Sequence, residues 1–205
     1  MGKNDENSIK FSDMSTSLWI DTTGGTNYGA LEDDIDVDAV IVGAGITGLT
    51  TAFLLRGHGL KVAVIDANRI AKGVSAHTTA KITSQHTLKY NKMIKAVGEE
   101  KSRQYAQANQ AAIDLIENTI RENNIDCDFK RVSAYVFAQD RNSLQKLEDE
   151  TESALRLGLP AVYKETLDLP FGVEGAMEFS NQAYFHPRKY LLALAQLIED
   201  EDCRI

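Results

Sequence analysis

Two short runs of apolar residues, at positions 39–42 and 62–65, frame a helical pattern near the start of the chain. Unbroken apolar runs of this length are typical of strands covered by helices on both faces. Residues 47–58 between them repeat apolar side chains at helical spacing and end in glycines, which predicts a helix. A strand, a helix and a strand in roughly thirty residues predict a βαβ unit with a right-handed crossover.

The pattern beyond residue 87 predicts further helices and strands. Residues 88–123 favour one or two helices with a break at Gly98, and Pro187 is well placed as the first residue of a helix whose apolar side chains form one stripe. The other predicted elements are a strand at 129–138, a helix at 142–157 and a strand at 177–185.

Two segments lack any regular period. Residues 1–35 are rich in Ser, Thr, Asp, Asn and Gly, which suggests a poorly ordered leader, although Trp19 is a large aromatic residue that could dock onto a folded body. Residues 72–80 form a Gly/Ser/Thr-rich stretch that indicates a functional loop.

Charge and composition narrow the possible partners. The 205 residues carry a net charge of −8 that is spread along the chain, which argues against nucleic acid or an anionic membrane as the main partner. No apolar run is long enough to span a membrane and residues 1–10 lack the apolar core of a signal peptide, so we expect a cytoplasmic protein.

Cys127 and Cys203 are far apart, which favours idle thiols. The histidines lack the spacing of metal ligands, so no metal site is expected.

The run Gly43-Ala44-Gly45-Ile46-Thr47-Gly48 is the motif that carries chemistry. It follows the first predicted strand and opens the helix, and Asp66 ends the second strand 23 residues after Gly43. Gly43 would make the tight turn, Gly45 would let the backbone approach a pyrophosphate, and Gly48 would let the helix lie against the strand. The N–H groups of Ile46 and Thr47 would face the phosphates.

Asp66 would accept hydrogen bonds from ribose hydroxyls, and its charge disfavours the 2′-phosphate of NADP. The motif itself does not separate FAD from NAD, because both contain the same adenosine diphosphate half. A turn whose glycines serve packing alone is the remaining structural explanation.

Three stretches together resemble the FAD-dependent oxidoreductases of the D-amino acid oxidase and glycine oxidase family. These are residues 38–49, the run Val-Ile-Asp-Ala-Asn-Arg-Ile at 64–70, and the loop at 73–83, whose Thr-Thr-Ala-Lys sequence is similar to that of a subgroup with a carboxyl-terminal Rieske iron-sulfur domain. Residues 184–190 resemble the family's entry into a substrate-domain helix.

The resemblance implies a noncovalently bound, extended FAD and a small-molecule substrate. Ala67 would flank the ribose and adenine beside Asp66, and Arg69 would lie near the adenosine end. Thr78, Thr79 and Ala80 would run beneath the pyrophosphate and flavin, or the two threonines would simply cap turns. His77 is either a site of covalent flavin attachment or a solvated loop residue. No catalytic residue is identified.

The expected fold class is α/β, an incomplete Rossmann-like FAD/NAD(P)-binding fold with part of an α+β substrate domain. The expected divisions are a leader at 1–35, the FAD-binding βαβ unit and loop at 36–87, a helical and partial substrate-domain region at 88–200, and the start of a returning strand at 201–205. We therefore expect a truncated piece of a longer oxidoreductase, and a Rieske domain in the longer parent chain is implied by the resemblance.

The resemblance implies hydride transfer from an amine or amino-acid-like substrate to FAD. Two alternatives from other classes remain open at this point: an NAD-dependent dehydrogenase, and a non-catalytic fragment that does not retain a cofactor.

Overall fold

A computed structural model describes residues 16–205, which divide into two units. Unit 1 comprises the described residues up to Thr79 together with Pro187–Ile205, and unit 2 is Ala80–His186. The helices are α1 (Leu18–Asp21), α2 (Ile46–Gly57), α3 (Tyr90–Val97), α4 (Glu99–Glu122), α5 (Leu144–Arg156) and α6 (Pro187–Ile198). The strands are β1 (Ala39–Val42), β2 (Val62–Ile65), β3 (Lys81–Ile82), β4 (Lys130–Ala138), β5 (Ala161–Lys164), β6 (Gly175–Tyr184) and β7 (Cys203–Arg204).

The boundary between the units differs from the divisions expected from sequence. It lies after Thr79 instead of after residue 87, and α6 belongs to unit 1 instead of to the region 88–200. The physical reason is the apolar stripe of α6, because this stripe is buried and α6 packs against α2. The chain therefore leaves unit 1 once, forms unit 2, and returns through Pro187.

Unit 1 contains a parallel sheet in the order β1-β2-β7. β1 pairs with β2 so that Val42 lies opposite Ile65, and β2 pairs with β7 so that Val62 lies opposite Cys203. Helix α2 connects β1 to β2, which is the βαβ unit that the sequence predicts. Its Leu49 and Ala52 are fully buried, and burying a side chain of leucine size contributes about 1.5–3 kcal/mol.

The expectation that β1 is covered on both faces is wrong. Val40 is 56% exposed and Val42 is 82% exposed, whereas Val62, Ala63 and Val64 of β2 are buried. β1 is an edge strand of the described sheet, and the alternation along it leaves one face without a covering element among residues 16–205.

Unit 2 contains an antiparallel sheet built around the long strand β6. β4 pairs along one edge of β6, while β3 and β5 pair with its other edge at different positions. Its main core combines sheet residues such as Met177 and Phe179 with Tyr90, Ala106 and Leu147 from the helices. The predicted break between the two helices is confirmed, because Gly98 separates α3 from α4 with a φ of 83°.

Glu150 lies in the acidic run 148–152, which has the sequence pattern of a solvated face, and yet it is buried. Glu150 is only 1% exposed, and its carboxylate accepts hydrogen bonds from the backbone N–H groups of Lys89 (2.7 Å), Tyr90 (2.6 Å) and Asn91 (2.9 Å). The first turn of a helix has no internal acceptors for these donors, and α3 has no side-chain cap of its own. Glu150 of α5 therefore caps α3.

Candidate dinucleotide-binding site

The turn after β1 has a geometry that requires glycine at two positions. Gly43 has a φ of +105°, a backbone conformation that residues other than glycine rarely adopt. Its N–H donates to the carbonyl of Ile65 at 2.7 Å. A Cβ on Gly48 would lie 1.9 Å from the carbonyl oxygen of Gly43 and 3.2 Å from the side chain of Ile41. The start of α2 therefore packs directly against the turn and against β1.

The beginning of α2 is open to solvent and carries no acidic side chain. Gly45 occupies the N-cap position and makes no side-chain cap, and the first turn contains no acidic residue. Ile46 and Thr47 are both exposed. Backbone N–H groups at an accessible helix start, reinforced by the helix dipole, favour an anion such as a phosphate.

Asp66 lies directly after β2 and is bonded to the glycine turn. One carboxylate oxygen accepts from the N–H of Ala44 at 2.8 Å, and the other accepts from the N–H of Asn68 at 2.8 Å. The N–H of Ala71 in turn donates to the carbonyl of Ala44 at 3.0 Å. Asp66 is thus held in a fixed orientation beside the turn and remains exposed.

Ser75 is a site residue that the sequence analysis missed. It lies in a 3₁₀ turn, Val74–Ala76, and its hydroxyl oxygen accepts from the N–H of Ile46 at 3.0 Å. A Cβ on Gly45 would lie 3.0 Å from this hydroxyl, so the absence of a side chain there admits Ser75. The only signal in the sequence was the presence of a hydroxyl in the loop at 72–80.

Replacing Ser75 by alanine removes the acceptor at the start of α2. We expect Ser75→Ala to lower the free energy of unfolding by about 0.5–2 kcal/mol, the usual cost of losing a hydroxyl cap. Denaturant unfolding of the purified chain measures this, with Val74→Ala as a matched control because Val74 is exposed in the same turn. Equal stabilities of the two variants would show that the hydroxyl contributes nothing.

The other predicted residues of the loop lie beyond this turn. Thr78 and Thr79 are exposed, whereas Ala80, the first residue of unit 2, is buried and has a φ of 62°. The exposed ring of His77 has its Nδ1 2.9 Å from the carbonyl of Gly73. Its covalent attachment to a flavin stays a prediction that the geometry does not require.

Arg69 is engaged by the leader. Its guanidinium donates to the carbonyl of Thr26 at 2.6 Å and to the side-chain oxygen of Asn27 at 3.2 Å. Ala67 is exposed directly after Asp66. The glycine turn thus follows the carboxyl end of β1, and Asp66, Ala67 and Arg69 follow that of β2, which is where ligands bind in sheets of this type.

A cleft of about 810 Å³ opens beside Asp66 in unit 1. Its walls are the ends of β2 and β7, Asp66 with residues 68–70, and leader residues 28–33 with Ile35. Burial and the nearby Glu199 raise the pKa of Tyr28 on this wall. The volume lies in the range of about 300–1,000 Å³ that is common for ligand pockets.

Residues 16–205 contain no group of His, Cys, Asp and Glu side chains that could hold a metal ion. Both cysteines are buried, and they form no disulfide bond with each other. Within the same residues no helix is both long and apolar enough to cross a bilayer.

Two known proteins are similar to this chain in sequence. A protein of Bacillus subtilis named "Putative Rieske 2Fe-2S iron-sulfur protein" is 39% identical over 189 residues, which cover 92% of this chain and 37% of that protein. Gamma-glutamylputrescine oxidoreductase of Escherichia coli is 28% identical over 131 residues, 64% of this chain and 30% of that enzyme. The chain thus spans 37% and 30% of the lengths of these two relatives.

A solved structure and a family model also match this chain. An L-amino acid deaminase from Proteus myxofaciens superposes with a TM-score of 0.70 at 15% identity, over 90% of this chain and 41% of that one, which shows a common fold. The family model described as FAD dependent oxidoreductase (DAO) matches residues 38–205. The chain therefore belongs to the FAD-dependent oxidoreductases of the D-amino acid oxidase type.

Proposed function

We propose that this chain forms the FAD-binding part of an enzyme that oxidises an amine or an amino acid. The observation that carries the proposal is the exposed start of α2 behind the glycine turn, where the N-cap Gly45 has no side chain, with the oriented carboxylate of Asp66 at the end of the neighbouring strand. Phosphate and ribose recognition require these two features at these two places.

The pyrophosphate of FAD would rest on the exposed start of α2, on the N–H group of Thr47 and beside that of Ile46, which donates to Ser75. The helix dipole adds about 0.3–1 kcal/mol to such contacts at exposed sites. Ser75 suits the same group, because a hydroxyl can accept from the N–H of Ile46 while it donates to a phosphate oxygen. Gly45 leaves room for Ser75 at this surface, and Gly48 lets α2 pack against the turn at Gly43.

The adenosine half would occupy the cleft beside Asp66. Its carboxylate would accept from the ribose hydroxyls, Ala67 would flank the ribose and adenine, and Arg69 would border the adenosine end. Thr78, Thr79 and Ala80 would supply hydroxyl and backbone groups to the pyrophosphate and flavin.

The bound flavin would supply the hydride acceptor. The residues of this chain bind and orient it, and residues of β4 and β6 in unit 2 are proposed to contact the substrate. Two similar proteins support an amine or an amino acid as the substrate class: a gamma-glutamylputrescine oxidoreductase and an L-amino acid deaminase.

We also propose a further domain of the parent chain and a cellular location. A relative named as a Rieske protein supports an iron-sulfur domain in a longer parent chain. We propose a cytoplasmic location, with which two cysteines that form no disulfide bond with each other are consistent.

Asp66 provides the direct test of cofactor binding. We expect the purified chain to bind FAD, and Asp66→Ala to weaken binding about tenfold or more, since a hydrogen bond to a charged group contributes about 1.5–3 kcal/mol. Asp66→Asn keeps an acceptor for the N–H of Ala44 and should fall between wild type and the alanine variant. FAD titration followed by flavin fluorescence gives the dissociation constants.

Asp34→Ala is the matched control, because it removes one exposed negative charge of unit 1 outside the lining of the cleft. An affinity of Asp66→Ala equal to that of Asp34→Ala would remove the ribose assignment. Tight binding of NADH without FAD binding would instead support a nicotinamide-dependent dehydrogenase, and binding of neither would leave a non-catalytic fragment.

A further inference from the structure

The leader donates two side-chain hydrogen bonds to the loop that the proposed function places beneath FAD. The indole N–H of Trp19 donates to the carbonyl of Thr78 at 2.8 Å, and the hydroxyl of Ser17 donates to the carbonyl of Ala76. Both bonds join residues 59 positions apart in the chain. The leader is therefore docked within unit 1, as Trp19 suggested, instead of being poorly ordered over its described residues.

The bond from Trp19 fixes the direction of one peptide group. The carbonyl of Thr78 and the N–H of Thr79 belong to the same planar trans peptide, so they point in opposite directions. With the carbonyl directed toward Trp19, the N–H of Thr79 is directed away from that side chain. Among the described residues this N–H has no acceptor, and Thr79 is exposed. It is thus available to a ligand.

A buried arginine anchors the leader next to this contact. Arg188 of α6 is 1% exposed, and its guanidinium donates to the hydroxyl of Thr23 and to the carbonyl of Gly24, the latter at 2.7 Å. No carboxylate among residues 16–205 forms an ion pair with it, and its Nε has no partner there. A buried charge is costly unless its donors are satisfied, so Arg188 favours the docked leader.

Arg69 provides a second anchor through Thr26 and Asn27. The leader is consequently held at three places between residues 17 and 27. One of them contacts the loop proposed to lie under the flavin, and another contacts the residue proposed to border the adenosine.

We propose that residues 17–27 are a positioning segment of the cofactor site, in which Trp19 orients the Thr79 amide toward bound FAD. The inference rests on the proposed function, since it assigns FAD as the acceptor for that amide. Trp19 acts through the peptide of Thr78 and Thr79, and it is a positioning residue and not a catalytic one.

Trp19→Phe in the full 205-residue chain tests this role, because it retains an aromatic ring and removes the indole N–H. We expect FAD to bind about tenfold more weakly, the effect of losing one well-oriented hydrogen bond, while the melting temperature of the FAD-free chain falls by only a few degrees, since the bond removed from it is exposed. Hydrogen exchange at the Thr79 amide of the FAD-free chain should also change. Leu18→Ala is the matched control, since Leu18 is an exposed neighbour in α1.

Ser17→Ala supplies a second variant that leaves Trp19 intact and should weaken FAD binding in the same direction. If Trp19→Phe binds FAD as tightly as Leu18→Ala does, or if hydrogen exchange at the Thr79 amide does not change, Trp19 only holds the leader in place and the positioning role is overturned. If the wild-type chain binds no FAD, the proposed function fails for this chain, whatever the variants do.

Discussion

Gly48→Ala is expected to destabilise unit 1 by about 3 kcal/mol or more and to abolish FAD binding. The added Cβ would lie 1.9 Å from the carbonyl oxygen and 3.1 Å from the carbonyl carbon of Gly43. These are backbone atoms, so no side chain can rotate to relieve the contact, and overpacking of this kind costs about 1–3 kcal/mol, occasionally more. Denaturant unfolding and FAD titration measure the two effects.

Gly57→Ala is the matched control in the same helix. A Cβ there meets nothing within 4 Å, and replacing a helical glycine by alanine usually stabilises a protein by about 0.4–1 kcal/mol. We therefore expect the two substitutions to have opposite signs. If Gly48→Ala were as stable as the wild-type chain, α2 would not pack on the turn as described. The geometry of the candidate site would then be wrong.

Glu150→Ala is the second substitution with a large expected effect, and it acts in unit 2. It leaves three backbone N–H groups at the start of α3 without their acceptor. An unsatisfied buried donor costs about 1–3 kcal/mol, so we expect a loss of roughly 3 kcal/mol in the free energy of unfolding. Thermal or denaturant unfolding followed by circular dichroism measures it.

Glu152→Ala provides the comparison, because Glu152 lies in the same helix and is exposed. It should change stability by less than about 0.5 kcal/mol, as is usual for surface substitutions. Glu150→Gln keeps one carbonyl acceptor and should lie between the two. Similar stabilities for Glu150→Ala and Glu152→Ala would contradict the capping role.

The elements with strong local signals were predictable from the sequence. The βαβ unit, the break at Gly98 and the start of α6 at Pro187 follow from apolar periodicity and from the backbone preferences of glycine and proline. Strands β3 and β5 were missed, because two and four residues are too short to establish a period. Their pairing with β6 depends on partners far away in the chain.

Burial was harder to predict than secondary structure. Glu150 lies in an acidic run that has the pattern of a solvated face, and its burial depends on the start of α3, about 60 residues earlier. The apolar run of β1 shows that the strand can be buried, but not whether any element covers it. For this reason the covering of Val40 and Val42 was wrongly predicted.

In the candidate site, too, some residues could be predicted from the sequence and others could not. The glycine turn and Asp66 have a fixed spacing that the sequence displays directly, and their roles toward FAD stay predictions. Ser75 could not be distinguished from other hydroxyl residues of the loop, because its importance comes from the approach of the 3₁₀ turn to Ile46. The contact between Trp19 and Thr78 likewise depends on the folded path of the leader.

The uncovered valines of β1 affect how this chain behaves in concentrated solution. Exposed strand edges with apolar side chains favour pairing between copies, and here the main opposition is electrostatic repulsion from a net charge of −8 at pH 7. That repulsion vanishes near the isoelectric point of about 5.0 and is screened by salt. Colloidal stability is therefore governed by pH and ionic strength, with mildly alkaline, low-salt buffers keeping the copies apart.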